Sequence, residues 1–331
     1  MTTGMENASG RAAAAAELRE PNPNSMQTPK IPTVELTPAQ IAEFHERGFL
    51  SIPNISPPAE VELLRGIFDR LFAQKAGRAE GAQFDMVTHD DDDAAPQALP
   101  AIINPVNFAP ELRATVFRTN AAGIARQLLG PHASAAFEQA ILKPPRYGAA
   151  TPWHQDEATR VDANFDYEQL SIWMPLQEAT LANGCMQYIA GTNKGDVLPH
   201  RSPKSDPKIH AIECAGGFDP ADAIPCPLPP GGATIHHGRT LHCAGPNGSD
   251  IPRRAYILAF EVPPKPSTRQ RNFYWNDEKQ TANLERKRRW RKRGGILIEF
   301  GRKVRAGMWR HPDRVVFEAR RALRALLNRQ T

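Results

Sequence analysis

From Ala135 onward the chain changes rhythm: apolar runs of five or six residues recur, each closed by turn residues. The runs cover 137–142, 151–156, 169–174, 185–189, 233–237 and 256–260. Stretches of this length suit strands rather than helices. Asn183-Gly184 reads as a hairpin turn, because both residues tolerate positive φ, and Pro229-Pro230-Gly231-Gly232 reads as another tight connection. Many short strands between such turns predict a mainly β fold with flanking helices, its core a double-stranded β-helix or cupin-like jelly roll.

The flanks read differently. Residues 1–35 are rich in Ala, Pro, Asn, Ser and Thr without an apolar period, which predicts disorder. Thr37-Pro38 has the form of a helix start, threonine as cap and proline in the first turn, and the helix should stop near Gly48. Residues 49–52 read as a short strand. A second helix follows Pro57-Pro58, with Val61, Leu64, Phe68, Leu71 and Phe72 as its apolar stripe. Residues 80–110 read as loop, and Leu112 to Leu129 as one further helix closed by Gly130-Pro131. The run Asp90 to Asp93 beside His89 lacks the glycine and ligand spacing of a calcium loop, so it is expected to be a solvated acidic loop. The domain boundaries implied are 1–35, 36–262 and a basic, partly helical extension at 263–331.

Within the β region, Trp153-His154-Gln155-Asp156 places an imidazole and a carboxylate two residues apart. On a strand both would face the same way, with Gln155 pointing away. His242, 86 residues beyond Asp156, is the best third partner. Two histidines and one carboxylate form the facial set that holds non-haem Fe(II) and leaves positions open. Alone, His-x-Asp commonly marks only a hydrogen-bonded surface pair. Arg253 follows His242 by eleven residues, and an arginine fork suits the far end of a dicarboxylate.

These segments, together with 44–54, 170–179, 183–193 and 236–242, resemble the phytanoyl-CoA dioxygenase family over roughly 36–262. The resemblance implies an enzyme using Fe(II), with 2-oxoglutarate and O2 as cosubstrates. It would hydroxylate a small organic molecule and release succinate and CO2. It implies His154, Asp156 and His242 as catalytic metal ligands and Arg253 as the anchor of 2-oxoglutarate. Trp173 matches a family tryptophan near that anchor, although as a bare residue it reads as core. Gln155 would serve the ligand surroundings or the substrate. His236 and His237 read as strand packing or as hydrogen-bond partners of the site. One position departs from the pattern: Ala244 stands where many relatives carry a serine that helps hold the oxo acid. The presence of Asp156 favours hydroxylation over halogenation. Substrate choice is expected from the loops at 80–110, 157–168 and 195–228, the last as a cover.

Net charge divides the chain. Residues 265–331 hold 20 Lys and Arg against 6 Asp and Glu, so the small overall excess of +5 hides an acidic body and a basic extension. The extension is expected to fold against the body. Seven of the eight residues from Arg286 to Arg293 are basic, but no nucleic-acid motif accompanies them, so nucleic acid is not expected as a partner. Residues 314–329 read as an amphipathic helix that suits docking on the domain or a second subunit, and also an anionic membrane surface. No apolar run reaches eighteen residues, so no membrane span is expected. Met1 to Glu20 lacks the core of a secretory signal, and Cys185, Cys214, Cys226 and Cys243 lack paired spacing, which points to a reduced cytoplasmic protein. Two other readings compete: a non-catalytic jelly roll that binds an anionic partner through its extension, and a metal hydrolase or isomerase that would need no Arg253.

Overall fold

A computed structural model describes residues 31–305. The expected helix 314–329 lies outside them, as do residues 1–30. In chain order the helices are α1 (Pro38–Arg47), α2 (Pro58–Ala73), α3 (Val116–Leu129), α4 (Ala282–Trp290) and α5 (Ile296–Arg305). The strands begin with β1 (Phe49–Ile52), β2 (Gln83–Asp85), β3 (Pro100–Ile103), β4 (Ser134–Lys143), β5 (Thr151–His154), β6 (Phe165–Asp166), β7 (Gln169–Pro175) and β8 (Met186–Tyr188). They continue with β9 (His200–Arg201), β10 (Glu213–Cys214), β11 (Ile224–Cys226), β12 (Ala233–His237), β13 (His242–Ala244), β14 (Arg253–Glu261) and β15 (Lys265–Pro266).

Two antiparallel sheets face each other in the predicted jelly roll. The larger runs β1-β12-β7-β14-β4-β3-β2 and the smaller β11-β8-β13-β5. Ribbons β9-β10 and β6-β15 stand outside them. Strand alternation sorts the larger sheet into two faces. On β14, Tyr256, Leu258 and Phe260 pack with Phe68, Phe117 and Ile124 under the helices, while Ala255 and Ile257 face the smaller sheet with Trp173, Met186 and Tyr188. The helical layer therefore seals one side of the sheet, and the space between the sheets is left for chemistry.

α1 starts as the sequence predicts, with Thr37 and Gln40 forming a reciprocal cap, and Gly48 ends it at φ 82°. A side chain at Gly48 would be strained there, and its Cβ would fall 2.4 Å from Thr240 Oγ1. The single helix expected over 112–129 is instead a 3-10 turn at Pro110–Ala114 followed by α3. Thr115 is extended and caps Arg118 N, and the buried Glu60 carboxylate accepts from Val116 N at 2.5 Å and Phe117 N at 2.8 Å. A carboxylate on the first free amides of a helix fixes where the helix begins.

Asn183-Gly184 is not a hairpin turn. Only Gly184 has positive φ, Asn183 closes a 3-10 turn, and the flanking strands β7 and β8 belong to different sheets. The segment is the step from one sheet to the other. The region 80–110, expected as loop, contributes edge strands β2 and β3. Residues 31–36 are not loose: Thr33 N donates to Asn120 Oδ1 at 2.8 Å and Leu36 N to Gln127 Oε1 at 2.7 Å, both on α3.

The described part of the basic extension folds onto the acidic body. Arg286 and Arg78 grip the two oxygens of Asp90 at 2.8 and 2.5 Å, and Arg302 pairs with Glu80 at 2.5 Å. The Asp90 side chain is only 6% exposed, so the expectation of a solvated loop fails at this residue, although Asp91 and Asp92 are exposed. No helix among the described residues is long and apolar enough to cross a membrane.

Candidate active site

The site lies between the sheets, where β5 of the smaller sheet runs beside β13. His154 and His242 are paired across these strands, and their rings lie 4.2 Å apart. β5 ends at His154, two residues short of Asp156, so the expected strand does not reach it. Asp156 instead opens a 3-10 turn, Asp156–Thr159. The turn still brings Asp156 Oδ1 to 3.6 Å from His154 Nε2 and 3.6 Å from His242 Nε2. One ligand atom from each of the three falls within 4.8 Å of the others. Gln155 points away, as the alternation predicted. It is fully buried, with its amide on Arg239 O at 2.6 Å and its carbonyl on Leu198 N at 2.7 Å, so it ties two loops rather than touching substrate.

The surrounding hydrogen bonds leave the right atoms free. His154 Nδ1 meets Pro152 O at 2.8 Å and His242 Nδ1 meets Thr240 O at 2.8 Å. A carbonyl accepts, so Nδ1 carries the proton and each Nε2 keeps its lone pair. Ser171 donates to Asp156 Oδ2 at 2.6 Å, and His236 Nε2 lies 3.2 Å from the same oxygen. One carboxylate oxygen is thus held and the other turned to the imidazoles. Burial, helped by neighbouring histidines, pushes His242 well below the usual imidazole range, and burial lowers His154 as well. Burial opposes the charge on Asp156, yet the hydrogen bond from His236 and the imidazoles of His242 and His154 keep it far below the usual carboxylate range. Two neutral imidazoles and one carboxylate, converging by free lone pairs, fit a divalent cation.

Arg253 sits at the start of β14, on the same face as Ala255 and opposite Arg254, which leaves the site to pair with Asp69. It is 1% exposed, with Nε and Nη1 unpartnered among the described residues and its Cζ 5.4 Å from the Trp173 ring centroid. Burial pushes its pKa down to about 9. The three-residue cluster, Arg253, Trp173 and Ala244 all line one pocket between the sheets. A cavity of about 660 Å³ adjoins it and shares His154 and Asp156. Its walls come from all three loops expected to choose substrate, through Met86, Val161 and Ile212, and also from the C-terminal extension, through Lys279 and Leu284.

Sequence reasoning missed Lys143 and Ser171 and left His236 between two roles. Ser171 is a lone hydroxyl in an apolar strand, two residues before Trp173 and so on its face, which was a usable signal. Lys143 is fully buried beside Arg253 and donates to Ala244 O at 3.0 Å and Gly245 O at 2.5 Å. It lies one residue past the run 137–142 and directly before Pro144-Pro145.

Residues 44–255 match the family model for phytanoyl-CoA dioxygenase (PhyH). The chain belongs to the phytanoyl-CoA dioxygenase family. Its relatives include a probable alpha-ketoglutarate-dependent hypophosphite dioxygenase of Stutzerimonas stutzeri, 36% identical over 138 residues, covering 41% of this chain and 47% of that protein. The phytanoyl-CoA dioxygenase domain-containing protein 1 of Danio rerio is 31% identical over 126 residues, covering 36% of this chain and 41% of that protein. This chain therefore spans less than half the length of these two curated relatives. Among solved structures, EvdO2 of Micromonospora carbonacea var. aurantiaca complexed with 2-oxoglutarate superimposes with a TM-score of 0.62 at 38% identity, covering 73% of this chain and 97% of that one. Membership in this family of oxygenases agrees with the jelly-roll architecture and with the His-Asp-His cluster.

Proposed function

We propose that this protein is an Fe(II)- and 2-oxoglutarate-dependent dioxygenase that hydroxylates a small organic molecule. His154, Asp156 and His242 would hold the iron, Arg253 would bind the distal carboxylate of 2-oxoglutarate, and Trp173 would flank that carboxylate. The observation that carries the reading is the pairing, within one pocket, of a convergent His-Asp-His cluster with a buried guanidinium that has no counter-charge among the described residues. A buried, unpaired cation is costly, and a carboxylate entering beside it offsets that cost. A hydrolase or isomerase on the same scaffold would need no such cation.

When bound, the iron with O2 and 2-oxoglutarate supplies the oxidising step, in which substrate C–H becomes C–OH while 2-oxoglutarate becomes succinate and CO2. The protein's own residues orient and exclude water. Ser171 and His236 fix the carboxylate of Asp156, the carbonyls of Pro152 and Thr240 fix the imidazole tautomers, and the apolar wall of Ile257 and Met186 keeps the pocket dry. Ala244 offers no hydroxyl, so the anchor rests on Arg253. The substrate would occupy the adjoining cavity, whose size suits an organic molecule of drug-like dimensions. Four free cysteines, three of them buried, support a reducing, cytoplasmic setting.

The test is an anaerobic titration with Fe(II) and then 2-oxoglutarate, followed by visible absorption. A charge-transfer band that disappears in His154→Ala and weakens in Arg253→Ala is the expected result. Iron binding without any band on adding 2-oxoglutarate would overturn the cosubstrate assignment.

A further inference from the structure

The turn that carries Asp156 is held from outside the region matched by the family model, by the C-terminal extension. Asp156–Thr159 is one short 3-10 turn, a geometry with poor internal hydrogen bonds. Three side chains of the extension converge on it. Arg271 Nη1 donates to Glu157 Oε1 at 2.7 Å; Glu157 is fully buried and follows Asp156 directly. Trp275 Nε1 donates to Ala158 O at 2.8 Å. Asn276 Nδ2 donates to the same carbonyl at 2.9 Å and to Arg160 O at 3.0 Å.

Arg271 is itself fixed by several elements. Its side chain is 5% exposed and meets Asp166 at 3.0 Å and Asp196 at 3.4 Å, with its Cζ 5.4 Å from the Phe273 ring centroid. Glu157 N donates to Gly238 O at 2.9 Å, so the turn is pinned to the larger sheet on one side and to the extension on the other. Ser171 and His236 rotate the Asp156 carboxylate, but neither sets the backbone from which it projects.

We propose that Arg271, Trp275 and Asn276 are positioning residues for the metal-binding carboxylate, acting through Glu157 and the Ala158 carbonyl. The inference rests on the metal assignment made above. Groups that orient a ligand without touching the metal typically govern affinity by 10- to 100-fold. The same extension lines the substrate cavity at Lys279 and Leu284, so it is part of the active site on two counts.

The test uses the full chain and Co(II) as probe metal, read by calorimetry and by its visible ligand-field absorption, with apo melting temperature recorded alongside. Arg271→Lys keeps the charge and loses the fork. The double variant Trp275→Phe, Asn276→Ala removes the donors to Ala158 O with little change in the aromatic packing, and it carries the test should Arg271→Lys not fold. Each is expected to raise the Co(II) Kd about tenfold or more and to alter the absorption envelope, whereas Arg302→Gln, which breaks the Glu80 pair elsewhere on the extension, leaves both as in wild type. Wild-type Co(II) affinity and spectrum in the folded variants would overturn the inference alone, as would an equal loss in Arg302→Gln. A wild-type protein that takes up no Co(II) would overturn the metal assignment and this inference together.

Discussion

Lys143 and Arg253 are register partners on neighbouring strands, each 1% exposed or less, and neither forms an ion pair among the described residues. Burial pushes the Lys143 ammonium well below the usual lysine range, and Arg253 adds to the effect. A buried guanidinium with no counter-charge among the described residues is electrostatically costly. Replacing Arg253 by Met should therefore leave the melting temperature of the apo protein unchanged or raised. The same variant should lose the stabilisation that glutarate or succinate gives the wild type. A melting temperature several degrees lower in Arg253→Met would mean that the guanidinium serves the fold, not an anion.

Ser171 holds Oδ2 of Asp156, the oxygen that is not turned to His154 and His242. Ser171→Ala should weaken Fe(II) or Co(II) binding about tenfold, with stability changed by about 1 kcal/mol. Metal affinity equal to wild type would show that His236 alone suffices to orient the carboxylate.

His200 provides a pH prediction with a defined sign. It is fully buried, its Nδ1 meets Leu198 O at 2.7 Å, and its Nε2 accepts from Gln155 N at 3.2 Å, so the neutral form is built in. Burial pushes its pKa down to about 4. Between about 4 and the ordinary 6.5 the unfolded chain holds the proton and the folded chain does not, so stability falls as pH drops through that window. The loss is at most about 3 kcal/mol. Denaturant unfolding at pH 4.5 and 7.5 should show a smaller pH difference in His200→Gln than in wild type, and an identical difference would refute the assignment.

The acidic run divides sharply by residue. Asp90→Asn removes the buried charge that Arg78 and Arg286 share, leaving them the exposed Asp93, and should cost about 2 kcal/mol. Asp91→Asn and Asp92→Asn, both at exposed positions, should stay within about 0.5 kcal/mol of wild type. Urea midpoints measured on the three variants distinguish a clamp from a merely acidic surface.

Much of this arrangement was legible in the chain. The spacing of short apolar runs gave the sheets, and Thr37, Pro38 and Gly48 gave α1, because these signals are local. His154, Asp156, His242 and Arg253 were singled out because their segments follow a known order, and the structure gathers them in one pocket, although the strand assumed for Asp156 is a turn. What stayed hidden depends on contacts between distant residues. Glu60 decides where α3 begins from 56 positions away, and Arg271 reaches Glu157 across 114. Asn183-Gly184 looked like a hairpin because a dipeptide cannot reveal that the chain is changing sheets.

The strand that carries Arg253 has neighbours along both edges, whereas the cavity beside the His-Asp-His cluster is walled largely by turns and loops. The two ends of the reaction space are thus built to different tolerances. At the cosubstrate end, nine paired residues leave no freedom to shift without slipping a register. At the other end, Met86, Val161 and Leu284 come from three stretches far apart in sequence, and none of the three lies in a strand. Under the proposed reading, changing what this protein accepts would mean editing those three stretches together, and two of them, the turn that follows Asp156 and the C-terminal extension, also bear on the carboxylate of Asp156.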